Sequence, residues 1–176
     1  AFSEDGQLWG NPLFDWEAMR KDGYSWWIQL VGHTARLFDV VRIDHFRGFD
    51  SYYAIPYEAV TAKNGEWKKG PGMELFHAIK NALGDVEIIV EDLGYLTDSV
   101  RQLVADSGFP GMKLLQFAFD SREDGDYLPH NYKNHCVVYT GTHDNDTIIG
   151  WMKTAPKASV KFAREYLRLD NKEGYN

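Results

Sequence analysis

The segment LFDVVRIDHFRGF, residues 37–49, decides how this sequence folds. Its first part, residues 37–41, is apolar and typical of a buried strand, and we predict a strand over residues 40–44. Charged groups follow directly at Arg42, Asp44 and His45, although an unpaired charge is costly inside a protein. Either these groups pair with one another, or they line a cleft in which charge has a chemical role.

Helical and strand patterns alternate along the rest of the chain. Apolar residues at helical spacing predict helices over residues 25–39, 72–83, 97–108 and 157–169. Apolar runs predict further strands over residues 86–94, 112–119 and 135–145. Residues 2–16 contain several glycine and proline breakers and are predicted to form a loop. Strands that alternate with helices form βαβ units, so we expect an α/β fold with a parallel sheet.

Acidic residues follow the predicted strands, at Asp44, Glu91, Asp120 and Asp144. In (β/α)8 barrels, the loops that follow the carboxyl ends of the strands build the active site. The spacing from Glu91 to Asp144 suits two barrel units, and that from Asp44 to Glu91 suits one unit with an extended loop. Only about four strands are recognisable, against eight in a complete barrel. We therefore expect residues 1–176 to be one piece of a single catalytic barrel domain, without a second domain.

Composition excludes several classes of protein. The formal net charge of -7 argues against a general nucleic-acid binder, which needs a basic face. No apolar run reaches the roughly 20 residues of a membrane span, and no export leader is visible at the N-terminus. The single cysteine, Cys136, cannot form an internal disulfide, which suits a reducing compartment. We expect a cytoplasmic protein.

Carboxylates at neighbouring strand ends suit glycoside chemistry. Retaining glycosidases use one carboxylate as nucleophile and a second carboxyl group as acid and base, about 5–5.5 Å apart. Arg42 lies two residues before Asp44, on the same side of the strand, and would favour the ionised nucleophile. Glu91 follows an apolar run and would have negative neighbours, which favours a protonated acid. Asp144 could hold the distorted sugar, with His143 as a hydrogen-bond donor.

Two other interpretations remain open at this point. Acids at strand ends often serve as helix caps or form loop ion pairs, and Arg42 with Asp44 could be such a pair. The pairs at residues 44–45 and 91–92 and the segment THDND (142–146) could also offer ligands to a metal. Neighbouring residues on a strand face opposite sides, so only one of each pair would reach the site. We therefore expect no metal.

Several motifs together resemble the 4-α-glucanotransferases, also called amylomaltases or disproportionating enzymes, of glycoside hydrolase family 77. The resemblance covers nearly the whole chain and rests on FSEDGQLWGNPLFDW (2–16), VRIDHFRGF (41–49), EDLG (91–94), GFPGMKLLQFAF (108–119), LPHNY (128–132) and YTGTHDNDTIIGW (139–151). It implies a partial (β/α)8 TIM barrel, about strands 4 to 7 with their helices.

The resemblance also implies a role for each matching residue. Asp44 would be the nucleophile, Glu91 the general acid and base, and Asp144 the stabiliser of the transition state. Sugar contacts would come from Arg42, His143, Gln7, Trp9, Asn11, Phe117 and Asn145.

The expected activity is a retaining transfer of α-1,4-glucan segments between maltooligosaccharides, through a covalent glucosyl-enzyme intermediate and without a cofactor. An α-amylase-like hydrolase remains an alternative, because the chemical residues are shared. An inactive fragment that binds glucan is another. Open sheet edges in a partial barrel would favour self-association.

Overall fold

The computed structural model describes residues 5–94, 96–120 and 125–169. The chain divides into two compact units, residues 1–109 and residues 110–176. In the first unit the elements are α1 (Trp16–Lys21), α2 (Ser25–Leu37), β1 (Val41–Ile43), β2 (Ser51–Ala54), β3 (Glu66–Lys69), α3 (Met73–Leu83), β4 (Ile88–Val90) and α4 (Asp98–Ser107). In the second they are β5 (Gly111–Leu114), β6 (Cys136–Tyr139), α5 (Ile148–Thr154) and α6 (Lys157–Leu167).

The core of the first unit is the parallel pair of β1 and β4, covered by helices. Ile43 lies opposite Val90 in the register, and Arg42 lies opposite Ile89. The buried side chains of the pair, Val41, Ile43, Ile88 and Val90, join one apolar cluster with residues of α2, α3 and α4. Because side chains alternate along a strand, Arg42 and Ile89 face away from these helices. The predicted parallel pairing of these two strands is confirmed.

The four predicted helices form, but those predicted over residues 25–39 and 157–169 end earlier, at Leu37 and Leu167. The short helices α1 and α5 were not predicted. Thr97 caps α4 by accepting a hydrogen bond from the Val100 N–H at 3.4 Å. The glycine that follows this helix, Gly108, has a φ of 68°, which glycine adopts without a steric penalty. In the predicted N-terminal loop, residues 5–15 contain no helix or strand, and residues 2–4 lie outside the described residues.

The extended loop after β1 contains a hairpin that the sequence patterns did not predict. β2 and β3 pair antiparallel, with Ser51 opposite Lys69. All four residues of β3 are exposed, so the strand lacks the apolar alternation by which strands are recognised. Gly70 follows β3, at the end of the hairpin away from its connecting loop. A Cβ at Gly70 would lie 2.3 Å from the Phe49 carbonyl oxygen, so only glycine fits this close approach.

The second unit contains a second parallel pair, β5 with β6, in which Leu114 lies opposite Tyr139. The strand predicted over residues 112–119 is wrong beyond Leu114, because residues 115–119 form a 3-10 helix. This helix turns Gln116 and Phe119 to the same side, where Phe119 packs against the ring of Phe162 on α6 at 5.7 Å. The strand predicted over residues 135–145 is also shorter, since it ends at Tyr139.

Candidate functional site

Asp44 and Glu91 follow the paired strands β1 and β4 at equivalent positions. They come one residue after the last paired residues, Ile43 and Val90. The hydrogen bonding continues past the strands, since the Glu91 N–H donates to the Ile43 carbonyl at 2.9 Å. The Phe46 N–H in turn donates to the Glu91 carbonyl at 2.9 Å. Asp44 and Glu91 therefore occupy neighbouring positions at the carboxyl edge of a parallel pair.

Asp44 forms an ion pair with Arg42. The Arg42 Nη2 donates to the Asp44 Oδ1 at 2.5 Å, so both side chains lie on the strand face that the helices leave uncovered. The side chain of Asp44 is 70% exposed to solvent, whereas that of Arg42 is 29% exposed. The ion pair thus holds one carboxylate oxygen and leaves most of the group open to an incoming molecule.

Two main-chain N–H groups hold the half-buried carboxylate of Glu91. The His45 N–H donates to Oε2 at 2.8 Å, and the Leu93 N–H donates to Oε1 at 2.9 Å. His45 has a φ of 47° and a ψ of 52°, the left-handed conformation that is uncommon outside glycine. This turn directs its N–H toward Glu91, so the residue after Asp44 orients the neighbouring carboxylate. The sequence analysis did not predict this contact. The one sequence feature that marks the position is a histidine between Asp44 and an apolar phenylalanine.

In the second unit, a tight turn after β6 presents His143 and Asp144. The Asn145 Oδ1 accepts hydrogen bonds from the Thr142 N–H at 2.9 Å and from the Thr142 hydroxyl at 3.0 Å. The Asn145 N–H donates back to the Thr142 carbonyl at 3.1 Å. Asn145 therefore closes the turn. His143 Nε2 lies 3.4 Å from the Asp144 Oδ1, and the Asp144 side chain is 74% exposed.

The N-terminal loop carries three of the predicted binding residues. Trp9 Nε1 donates to the Gln7 Oε1 at 3.4 Å, and the Trp9 side chain is 75% exposed. Gln7 and Asn11 are also exposed. The loop is tied to the segment after the hairpin strand β2, because the Ala62 N–H donates to the Asp5 carbonyl at 3.1 Å.

The remaining predicted residue, Phe117, is half-buried in the second unit. Its ring packs edge-on against Tyr127, with 5.4 Å between the ring centroids. The predicted site residues thus form four local groups: Arg42 with Asp44 and Glu91, the turn of His143, Asp144 and Asn145, the pair of Gln7 and Trp9 near Asn11, and Phe117 with Tyr127.

Within residues 5–94, 96–120 and 125–169, no three His, Cys, Asp or Glu side chains are arranged to hold a metal ion. Over the same described ranges, no helix has the length and apolar character needed to cross a membrane.

Comparisons with known proteins show the family to which this chain is similar. The sequence profile of the 4-alpha-glucanotransferase family matches residues 1–176. The 4-alpha-glucanotransferase of Clostridium butyricum is 52% identical over 177 residues, which span the whole of this chain and 36% of that protein. The chloroplastic/amyloplastic 4-alpha-glucanotransferase of Solanum tuberosum is 53% identical over 167 residues, or 95% of this chain and 29% of that protein. The chain thus spans about a third of the length of the curated relatives it matches.

Solved structures are similar as well. The amylomaltase from Streptococcus agalactiae in complex with acarbose superimposes with a TM-score of 0.92 at 41% identity, covering 99% of this chain and 35% of that one. The amylomaltase from Corynebacterium glutamicum has a TM-score of 0.72 at 23% identity, over 97% of this chain and 24% of that one, and it supports the fold alone. The α/β fold predicted from the sequence is confirmed.

Proposed function

We propose that this chain, which belongs to the 4-alpha-glucanotransferase family, forms the catalytic part of a longer enzyme. That enzyme transfers α-1,4-glucan segments between maltooligosaccharides. Asp44 and Glu91 carry this proposal, because they stand at equivalent positions at the carboxyl edge of the parallel pair β1 and β4. We further propose that the strands of this chain correspond to about strands 4 to 7 of a (β/α)8 barrel that the rest of the protein completes.

Asp44 acts as the nucleophile. One of its carboxylate oxygens attacks the anomeric carbon of the donor glucan, and the bond between that carbon and the glycosidic oxygen breaks. The ion pair with Arg42 supports this role, because a neighbouring guanidinium favours the charged carboxylate and holds it in one orientation. The product of this step is a glucosyl ester of Asp44.

Glu91 acts as the general acid and then as the general base. It gives its proton to the departing glycosidic oxygen, and it later takes a proton from the hydroxyl of the acceptor glucan. The acceptor oxygen then displaces Asp44 from the anomeric carbon, so the configuration at that carbon is retained. The main-chain N–H groups of His45 and Leu93 support this role, since they hold the carboxylate beside the end of β1. No cofactor takes part.

The turn after β6 contributes the third carboxylate. Asp144 stabilises the oxocarbenium-like transition state, and His143 and Asn145 take part in binding the sugar. Gln7, Trp9 and Asn11 contact the acceptor, and the exposed Trp9 ring offers an apolar face to a sugar ring. We also propose that Phe117 lies near the bound sugar.

Incubation of the full-length protein with maltotriose tests the proposed function. Transfer produces a ladder of maltooligosaccharides both longer and shorter than the substrate, which chromatography resolves. If only shorter sugars form, the enzyme is a hydrolase of the α-amylase type. The 176-residue chain alone, assayed in parallel, tests the alternative of an inactive fragment, because turnover at a rate near that of the full-length protein would refute it.

A further inference from the structure

A single buried polar side chain lies behind the turn that carries Asp144. Gln116, in the 3-10 helix after β5, is 5% exposed and is the one buried polar or charged residue among residues 5–94, 96–120 and 125–169. Buried amides require hydrogen-bond partners, because removal from water is otherwise unfavourable. The partners of Gln116 are therefore informative about what this residue does.

Gln116 makes hydrogen bonds to both ends of the turn. Its side-chain Nε2 donates to the Asp146 carbonyl at 2.7 Å, and its main-chain N–H donates to the Thr140 carbonyl at 3.3 Å. The five residues between these carbonyls include His143 and Asp144. One residue of a neighbouring segment thus fixes the entry and the exit of the loop that presents the third carboxylate.

Gly141 provides the space that this arrangement needs. A Cβ at residue 141 would lie 2.8 Å from the Gln116 Nε2 and 3.2 Å from the Asn145 Cβ. The amide of Gln116 is buried and engaged with the Asp146 carbonyl, so a methyl group at residue 141 would push it out of this hydrogen bond. The hydrogen bond of the Gln116 amide therefore depends on the absence of a side chain at Gly141.

Asp146 also contacts Thr147, the residue that caps the N-terminus of α5. Its Oδ1 accepts a hydrogen bond from the Thr147 N–H at 2.7 Å, and the Thr147 hydroxyl in turn accepts one from the Gly150 N–H at 3.1 Å. Asp146, at the end of the turn, is thus hydrogen-bonded both to the N-terminal cap of a helix and to the Gln116 amide. Without the amide, Asp146 would keep its contact with Thr147 but lose its hydrogen bond to the 3-10 helix after β5.

We infer that Gln116 is a positioning residue for Asp144: its buried amide, seated against Gly141, holds the turn in the geometry that transglycosylation requires. This inference rests on the proposed function, because it assigns Gln116 a role through Asp144. Displacements of about 1 Å in a catalytic group can lower rates by about a hundredfold. We expect Gln116→Met, which keeps the length of the side chain but removes the donor, to lower kcat/KM by about 10- to 100-fold, mainly through kcat.

The test uses the full-length protein, four single variants, and the double variant that combines Gln116→Met with Asp144→Asn. Gln116→Met and Gly141→Ala disturb the contact from its two sides, and Asp144→Asn removes the carboxylate. The matched control is Gln102→Met, because Gln102 is an exposed glutamine on α4 whose side chain donates to a neighbouring side chain, Asp106. Each variant is compared with the parent by thermal melting, by maltotriose kinetics, and by hydrogen exchange of the amides in residues 140–147.

The inference predicts faster exchange in residues 140–147 and lower kcat in both Gln116→Met and Gly141→Ala, with no change in Gln102→Met. It also predicts that Gln116→Met lowers the residual activity of Asp144→Asn by less than threefold, since the amide acts through that carboxylate. Unchanged exchange in Gln116→Met, or faster exchange with unaltered kcat, would overturn it. A loss that multiplies fully with Asp144→Asn would overturn it as well.

Failure of the proposed function has a different signature. If Asp144→Asn retains full transfer activity, Asp144 has no catalytic role, and the role of Gln116 is refuted together with it. If Asp144→Asn is inactive while Gln116→Met matches the parent, the proposed function stands and the inference alone fails. If Gln116→Met does not fold, Gly141→Ala decides the matter, because it displaces the same amide while leaving the glutamine in place.

Discussion

Replacing Glu91 by glutamine should impair both catalysis and stability, for separate reasons. The substitution exchanges one carboxylate oxygen for an NH2 group. Both oxygens of Glu91 accept main-chain N–H groups, from His45 at 2.8 Å and from Leu93 at 2.9 Å. Whichever way the new amide is turned, its NH2 group faces an N–H donor. The amide therefore loses one hydrogen bond, and the remaining one is no longer made to a charged acceptor.

The size of each effect follows from these contacts. Hydrogen bonds to charged groups stabilise proteins by about 1.5–3 kcal/mol. Loss of one such bond from half-buried Glu91 should lower the free energy of unfolding by about 2 kcal/mol. Loss of general acid catalysis should lower the rate on maltotriose by about 10²- to 10⁴-fold. With a glycosyl fluoride donor, whose leaving group needs no proton, formation of the glycosyl-enzyme should be far less impaired.

The assay compares Glu91→Gln, Asp44→Asn and Glu87→Gln in the full-length protein, on maltotriose and on the fluoride donor. Glu87 is an exposed residue just before β4, so Glu87→Gln makes the same chemical change on the same segment and should match the parent. Asp44→Asn should stay inactive on both donors, because an amide is a poor nucleophile. Equal responses of Glu91→Gln and Asp44→Asn to the fluoride donor would refute the assignment of roles. A parent-like melting temperature in Glu91→Gln would refute the hydrogen-bond argument.

Three further predictions concern packing, the acceptor and assembly. Leu75→Ala should lower the free energy of unfolding by about 2–5 kcal/mol, because Leu75 is fully buried on α3; a loss below 1 kcal/mol in urea denaturation would contradict this. Trp9→Ala should raise the KM for the acceptor glucan by about 2- to 10-fold and increase the share of hydrolysis; unchanged acceptor kinetics would remove Trp9 from the acceptor site. The isolated 176-residue chain should self-associate in sedimentation at micromolar concentration, because the apolar residues Leu37 and Phe38 at the end of α2 are 77% and 62% exposed. A monomer with a cooperative thermal unfolding transition would show that these exposed apolar residues do not drive self-association.

The helices α2, α3, α4 and α6 were predictable because their determining contacts are local. In α4, a threonine cap and a following glycine bracket the apolar spacing of Val100 and Leu103, and all of these features lie within a dozen residues. The pairing of β1 with β4 was predictable as well, since both are short apolar runs that end in acids. β3 escaped prediction because all of its residues are exposed, so it is specified by its partner β2 and by the close approach at Gly70 rather than by its own pattern.

By itself, the sequence determined the helices α2, α3, α4 and α6, the parallel arrangement of the strands, and the carboxylates that follow these strands. It could do so because periodicity, caps and strand-end acids are read within short windows of residues. Only the tertiary structure decided that the chain leaves the strand pattern after Leu114, that the main chain at His45 turns toward Glu91, and that the Gln116 amide holds the turn of Asp144. These three features depend on groups brought together across the chain, as from Gln116 to Asp146. A hydrogen bond between distant segments does not change the spacing of apolar residues in either segment. It can therefore be identified only from the folded structure.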